Sequence, residues 1–543
     1  VPFTQQESLG LAWRRALIQA VNGAAVSFYG SGGATHPVLR RLHSAPFLLL
    51  SGAATPSIDT SIYQVSALMD KQSSQECSFG NESDASNQAV KPNLVAMQLQ
   101  LLPPDVMRDI LSRLSLKEVV RMSMLSREWK LLRICHPDMV FTKETFGIDT
   151  TNTYQGSMTV GDLLKVRAKK MELLTRKFID HVDSVLRPLW STSSTTTTTL
   201  DKFVVKFVLH RKHKYYIDRW VTFSTASRSK HIALDFTSDD ESCFGSAFDK
   251  YRYALPLTNF SGPNGSCIRS LYLGNVYLEL PPSLCGITNL KKLTLNKVSI
   301  NDGDLQLLLL SCALLKSLNI EKCSSLSSLR IQQELSRLQY LRVRYCDLEI
   351  LELDPPNLTA FEFDDYLMQT VLTESSKLSD VIFVSNLRVL DGYDDVLDHI
   401  FTDLPAALPH LQTLLLLLTA CQVRRFSNTR DSFMCLRHLN MNLDSPLYHD
   451  DSWVMGFVNL LELAPLLKEL EVHIDCDRRC SYSPRTVTAA QGPIHHHLRS
   501  VYMSGFCDVL GLAELALYML GNAIVLQRMV VDPVSGRKED LNM

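Results

Sequence analysis

Eleven times between residues 268 and 531 the chain places an apolar residue at the first, fourth and sixth positions of a six-residue stretch. The regular copies are IRSLYL (268–273), LKKLTL (290–295), LKSLNI (315–320), LQYLRV (338–343) and LTAFEF (358–363). Looser copies follow as LSDVIF (378–383), LQTLLL (411–416), LRHLNM (436–441), LKELEV (467–472), LRSVYM (498–503) and LQRMVV (526–531). The fourth-position residues Leu271, Leu293, Leu318, Leu341, Phe361 and Val381 lie 20 to 25 residues apart, and later copies spread to about 25–33. Alternation of this kind is a short strand with one apolar face. No single unit can cover that face, so the units must stack on one another into a curved solenoid.

A period of about 20–29 residues with this pattern is that of a leucine-rich repeat. Each unit then consists of a strand and a return segment, helical or irregular. Cys323 and Cys346 fall at the ninth position, where the chain turns inward, which assigns both thiols a structural role. LDKFVVKFVLH (200–210) and KHIALDF (230–236) alternate like strands, with IDRWVTFSTAS (217–227) as a helix between them. They are expected to be early, atypical repeats. Helices are expected around Trp453–Leu463 and Leu512–Leu520. A helix-like segment at 160–186 should link these repeats to whatever precedes them, and STSSTTTTT (191–199) reads as a surface loop.

What precedes them is LPPDVMRDILSRLSLKEVVRMSMLSREWK (102–130). Pro103 and Pro104 open a helix whose apolar stripe runs through Val106, Met107, Ile110, Leu111 and Leu114. Ser115 and Glu118 form a capping box for a second helix, and Ser126 can cap a third carrying Trp129. Three such short helices cannot bury their large side chains among themselves, and an exposed apolar patch marks a partner surface.

The stretch resembles an F-box, which in plant members runs LP-x-D, I-L-S-R-L, K-[DE]-[AV]-V-R and L-S-R-x-W. The resemblance implies docking to a Skp-family adaptor, and through it to the cullin and RING subunits of a ubiquitin ligase. By position, Leu102, Pro103, Ile110, Leu111, Leu114, Leu116, Val119, Val120, Leu125 and Trp129 fall on the family's adaptor-binding or core positions. Ser115 stands where Pro is common, and the capping box compensates locally. The C-terminal ELALYMLGNA (514–523) and LQRMVVDP (526–533) are similar to the end of plant F-box/leucine-rich-repeat proteins of the FBD type. The expected fold class is therefore α/β: a small all-α three-helix F-box (96–145), a helical linker with a Ser/Thr loop (146–199), a curved leucine-rich-repeat solenoid (200–483) and FBD-like repeats (484–543).

Function classes narrow accordingly. The chain of 543 residues is 45% hydrophobic and 21% charged with net charge −2, which argues against a general nucleic-acid or membrane-surface binder. No apolar run approaches the roughly 20 residues of a bilayer span. Thirteen scattered cysteines without a CxxC pair fit reduced thiols, and the nucleus and/or cytoplasm is the expected setting. The chain starts at Val1 rather than Met, as a fragment or processed form would. Up to Ser57 its only acidic residue is Glu7 against Arg14, Arg15, Arg40 and Arg41. Residues 1–95 are read as a disordered or leader segment, with an organelle transit peptide as the other reading.

A target receptor needs a surface rather than reactive groups. The third, fifth and seventh positions of each unit face the concave side, giving Lys292, Thr294 and Asn296, then Ser317, Asn319 and Glu321. The candidate target-binding residues are the next ones along: Tyr340, Arg342 and Arg344 beside Glu362 and Asp364. Such a group could read a charged partner, or it could be a face with internal salt bridges. HIDCDRRC (473–480) with HHH (495–497) does not form a zinc pattern, and GSGGATH (30–36) misses both phosphate-binding fingerprints. No HExxH or GxSxG motif occurs. No catalytic residue, metal or cofactor is expected, and the chain is read as a target-recognition subunit of a cullin–RING ligase rather than an enzyme. The alternatives are an interaction scaffold outside any ligase, and a phosphate or small-ligand sensor using Arg342, Arg344 and Arg424–Arg425.

Overall fold

In the regular units the first, fourth and sixth residues turn inward together. Leu290, Leu293 and Leu295, then Leu315, Leu318 and Ile320, then Leu338, Leu341 and Val343 are all fully buried. Burying one such side chain contributes about 2 kcal/mol, and stacking repeats that gain along the axis. The computed structural model describes residues 109, 112–122, 136–150, 160–192, 199–238, 251–281, 286–346, 348–364, 369–372, 377–384, 405–406, 408–419, 423, 432–444, 453–475, 492–505 and 511–532. Among them, fourteen strands form one sheet in chain order, every neighbouring pair parallel.

Register is constant from strand to strand, so equivalent positions of successive units form columns. Leu271, Leu293, Leu318, Leu341, Phe361 and Val381 stand side by side on the inner face. At the strand ends Asn275, Lys297, Lys322 and Tyr345 adopt left-handed backbone, φ 53° to 55°. Such a residue costs about 1 kcal/mol. Each uses the turn to donate its N–H to the next strand: Asn275 to Asn296, Lys297 to Glu321, Lys322 to Arg344 and Tyr345 to Asp364, at 2.7–2.9 Å. Cys323 and Cys346 follow these turns fully buried, each Sγ directed at backbone carbonyls, Glu321 and Arg344 nearest at 3.4 and 3.2 Å.

Return segments depend on repeat length. In three of the longer units the described return is helical: Asp302–Leu310, Trp453–Glu462 and Leu512–Asn522. Where units shorten to 20–23 residues, the return carries a short strand in place of an α-helix. Ser328–Ile331, Ile350–Leu353 and Gln369–Leu372 pair into a second parallel sheet. A strand covers about 3.3 Å per residue against 1.5 Å for a helix, so it spans the return with fewer residues.

The sheet begins earlier than the repeat pattern. Asp138–Thr142 pairs with Lys202–Lys206 and is the edge strand, although it lies in the stretch assigned above to the F-box. Between these two parallel strands runs the helix Val160–Thr192. That helix was expected as a link between F-box and solenoid; it is the crossover of the solenoid's own first unit, as parallel pairing requires. Its buried face (Phe178, Ile179, Val182, Val185, Leu186, Leu189) packs on the first strands, with the Phe178 and Phe207 rings 4.4 Å apart. The helix Lys214–Ala226 lies beside it, where Trp220 Nε1 donates to Asp183 at 2.9 Å. The Arg219 guanidinium sits 3.8 Å over the Trp190 ring. Residues 1–95, most of the Ser/Thr loop and 533–543 lie outside the described residues.

Candidate functional site

Alternation along each strand sends the third, fifth and seventh positions to the face opposite the core. Register then fixes their neighbours. Tyr272, Thr294, Asn319, Arg342, Glu362, Ile382, Leu415, Asn440, Glu471 and Tyr502 make one column across the sheet. Beside it run Asn296, Glu321, Arg344 and Asp364, and further along the sheet Leu417, Asn442, His473 and Ser504.

The five residues singled out from the sequence lie together in the first half. Arg342 Nε stands 2.7 Å from Glu362 Oε2, an ion pair held by charge without an aligned hydrogen bond, with side chains only 8% and 15% exposed. Arg344 Nε donates to Asp364 Oδ2 at 3.1 Å, and Tyr340 Oη donates to Glu362 Oε1 at 2.6 Å. Burial first, then the bond to Glu362, pushes the Tyr340 phenol well above its ordinary pKa. Burial likewise takes Tyr272 up to about 12, with the Asp235 charge adding to it. These charges therefore engage one another across adjacent strands. What they offer a partner is a rigid polar lattice with little unengaged charge.

A second lattice, not singled out from the sequence, occupies the later strands. Asn440 Nδ2 donates to Glu471 at 2.6 Å, and His438 Nε2 stands 3.6 Å from the same carboxylate. The two histidines flanking Glu471, His438 foremost, hold its carboxyl far below the usual range, while Glu471 raises His438. His473 Nδ1 lies 2.7 Å from Ser504 Oγ and its Nε2 3.5 Å from Glu471. Hydroxyl, imidazole and carboxylate in that order invite comparison with a nucleophile and its base. Ser504 is 2% exposed, however, so no substrate reaches its oxygen. Between the lattices, Ile382, Leu415 and Leu417 present a half-buried apolar strip. Placing HLNMN, ELEVH and SVYMS on the same third, fifth and seventh positions would have revealed this second group. Their wider spacing hid it.

The F-box positions divide differently. Leu102, Pro103, Ile110, Leu111, Leu125 and Trp129 lie outside the described residues, as do Arg424 and Arg425. Ser115 and Glu118 make the expected capping box, Ser115 N donating to Glu118 at 2.7 Å and Glu118 N to Ser115 Oγ at 3.3 Å. The helix Leu116–Met122, which includes Val120, follows it. Leu114 is half-buried, whereas Leu116 is 5% exposed and Val119 fully buried. Leu116 joins the solenoid's own apolar core, so it serves the chain's packing here rather than a partner-facing surface. His136 Nδ1 accepts from Asp138 N at 3.0 Å, so Nε2 carries the proton and donates to the Leu114 carbonyl at 3.1 Å. Among the described residues no three His, Cys, Asp or Glu side chains form a metal-binding group, and no helix is long and apolar enough to cross a membrane.

Comparison with known proteins agrees with this geometry. The family described as "At1g61320/AtMIF1, LRR domain" matches residues 193–542. The chain belongs to that family. An F-box domain matches residues 99–132, ahead of the repeats. Relatives in Arabidopsis thaliana carry both names. The F-box/FBD/LRR-repeat protein At5g62970 is 23% identical over 388 residues, 69% of this chain and 78% of its own length. F-box/LRR-repeat protein 13 is 24% identical over 308 residues, 54% of this chain and 58% of its own. F-box protein At5g03100 is 26% identical over 180 residues, 33% of this chain. The chain spans about half the length of this last relative, 52%. An F-box match thus stands ahead of a leucine-rich-repeat match in one chain, the pairing that the names of two of these Arabidopsis relatives also carry.

Proposed function

We propose that this chain is the target-recognition subunit of an SCF-type cullin–RING ubiquitin ligase, docking a Skp-family adaptor through its F-box and a target protein through its solenoid. The observation that carries this is the junction of the two parts. The F-box match ends at residue 132 and the first strand of the sheet starts at Asp138. The helix Leu116–Met122 packs through Leu116 into the solenoid core. A docking module packed against the recognition domain would hold a bound target at fixed reach from the conjugating enzyme, which raises effective concentration without any catalytic group here.

In this reading the adaptor is met by Leu102, Pro103, Ile110, Leu111, Leu114, Val120, Leu125 and Trp129, with Leu116 and Val119 supporting them from behind. The target is met on the concave face, where the Tyr340 lattice adjoins the apolar strip of Ile382, Leu415 and Leu417. The test is a pulldown of the full chain with a Skp-type adaptor, beside a Leu102→Ala/Pro103→Ala double variant. Binding that the double variant abolishes is the expected result. An intact chain that fails to bind the adaptor would end the ligase reading and leave an interaction scaffold of the same fold.

A further inference from the structure

The second position of each unit, just before its strand, is Arg269, Lys291, Lys316, Gln339, Thr359, Ser379, Gln412, Arg437, Lys468, Arg499 and Gln527 in turn. Six are basic and none is acidic, in a chain whose net charge is −2. Register pins the first three side by side: Lys291 N donates to Arg269 O at 2.8 Å, and Lys316 N to Lys291 O at 2.8 Å. Lys292 adds a fourth cation at the next position. Arg269, Lys291, Lys292 and Lys316 are all exposed, and among the described residues none has an ion-pair partner. Lys230 continues the row one strand earlier but is engaged by Asp201 at 2.7 Å. The neighbouring His231 registers the local field: burial lowers its pKa, and Lys202, Arg269 and Lys230 lower it further against Asp201. The later basic run is diluted by the exposed Glu469 beside Lys468.

We infer that the edge formed by Arg269, Lys291, Lys292 and Lys316 docks an extended, carboxylate-rich segment of a partner protein. Adjacent strands lie about 4.8 Å apart, so the three aligned units place cations over roughly 10 Å. An extended peptide covers that distance in three or four residues at about 3.4 Å each, and since alternate side chains face opposite ways, two acidic side chains about 6.8 Å apart meet the row of cations. Single-stranded nucleic acid fits less well. Its capture relies on aromatic platforms for the bases, and Arg269, Ser270, Lys291, Lys292, Lys316 and Ser317 supply none. This deepens the receptor reading and rests on it for the partner being the ligase target.

The experiment is fluorescence anisotropy on the full chain with a labelled decapeptide of alternating Glu and Asp. A Gln/Ser decapeptide and a ten-nucleotide oligothymidine serve as comparison probes. The acidic peptide should bind, weaken as salt rises, and lose affinity about tenfold in Lys291→Glu/Lys316→Glu, two exposed contacts turned repulsive. The milder Lys291→Gln/Lys316→Gln variant should show a smaller loss, and both should keep the wild-type Tm. Absence of peptide binding at low salt, equal binding by the reversed variant, or tighter binding of oligothymidine would each overturn the inference. The adaptor pulldown on the same variants separates the two readings. Its failure in wild type beside intact peptide binding would remove the ligase but keep the acidic-segment site.

Discussion

Glu362 holds Arg342 at 2.7 Å across two adjacent strands while accepting a 2.6 Å hydrogen bond from Tyr340. Both charges sit largely out of water, so removing one takes away the other's opposite charge in a setting that water screens little. Glu362→Ala should cost about 3 kcal/mol in urea unfolding, because a buried guanidinium that loses its carboxylate is costlier than a lost surface pair. Glu362→Gln, which can still accept from Tyr340, should cost less. The exchanged pair Arg342→Glu/Glu362→Arg should recover part of the loss. If Glu362→Ala falls within 0.5 kcal/mol of wild type, about the scatter of surface changes, the lattice is not structural.

Asp183 and Trp220 make the matching test at the solenoid's first unit. The indole N–H is fully buried and its partner carboxylate accepts at 2.9 Å, with Arg219 3.7 Å from the second oxygen. Asp183→Ala orphans the buried donor and should cost about 2–3 kcal/mol, whereas Asp183→Asn keeps an acceptor and should cost about 1 kcal/mol. Equal losses in thermal unfolding would mean the hydrogen bond contributes nothing beyond the packing of the two helices.

Both tests concern features that were unequally legible in the chain. The LxxLxL spacing sets the strands from Ser270 to Asp364, because a period of two within a period of about 20 admits few other folds. It also brought Arg342 near Glu362, since equivalent positions of successive units must be neighbours. Whether those charges would meet a partner or each other depends on lateral distances of an ångström, which no pattern records. The strand Asp138–Thr142 was invisible for a different reason. DMVFT is a single unit without a leucine frame, joined to a helical motif. The helix Val160–Thr192 was legible as a helix, yet amphipathicity shows which face is buried and not against what. The lattice of His438, Glu471 and His473 was lost where longer helical returns stretched the period.

Acid should weaken the first unit through His213. Its Nδ1 accepts the His210 N–H at 3.1 Å, which requires the neutral ring. Burial, then Lys212 and His210, lower its pKa from 6.5 to about 4, with Glu172 opposing. A base whose folded pKa is depressed is protonated first in the unfolded chain. Its contribution is therefore intact above about pH 6.5, shrinks as pH falls, and stops changing below about 4. His438, raised by Glu471, acts in the opposite sense, losing its contribution as pH rises through its folded pKa. Comparing urea midpoints of wild type and His213→Asn at pH 7.5, 6 and 5 isolates the site. The gap in favour of wild type should narrow steadily toward pH 5, and a constant gap would remove His213 from the acid response.

The His136 imidazole tests the packed junction on which the proposed function depends. It bridges Asp138, the first residue of the sheet, to the Leu114 carbonyl at the start of the capping box. His136→Ala breaks both bonds in a buried setting and should cost about 1–2 kcal/mol locally. The loss should be confined to the junction, because the repeats beyond it keep their own core. Hydrogen exchange is the suitable readout: amides of Leu116–Met122 should exchange faster, while those of Lys292–Asn296 stay protected. Under the proposed function adaptor binding should survive, since the residues proposed to dock the adaptor are unchanged. On the same proposal, target ubiquitination in a reconstituted ligase should fall, because a loosened junction no longer holds the solenoid at fixed reach. Unchanged exchange at Leu116–Met122 would mean that Leu116 packing alone holds the F-box in place and that His136 is dispensable.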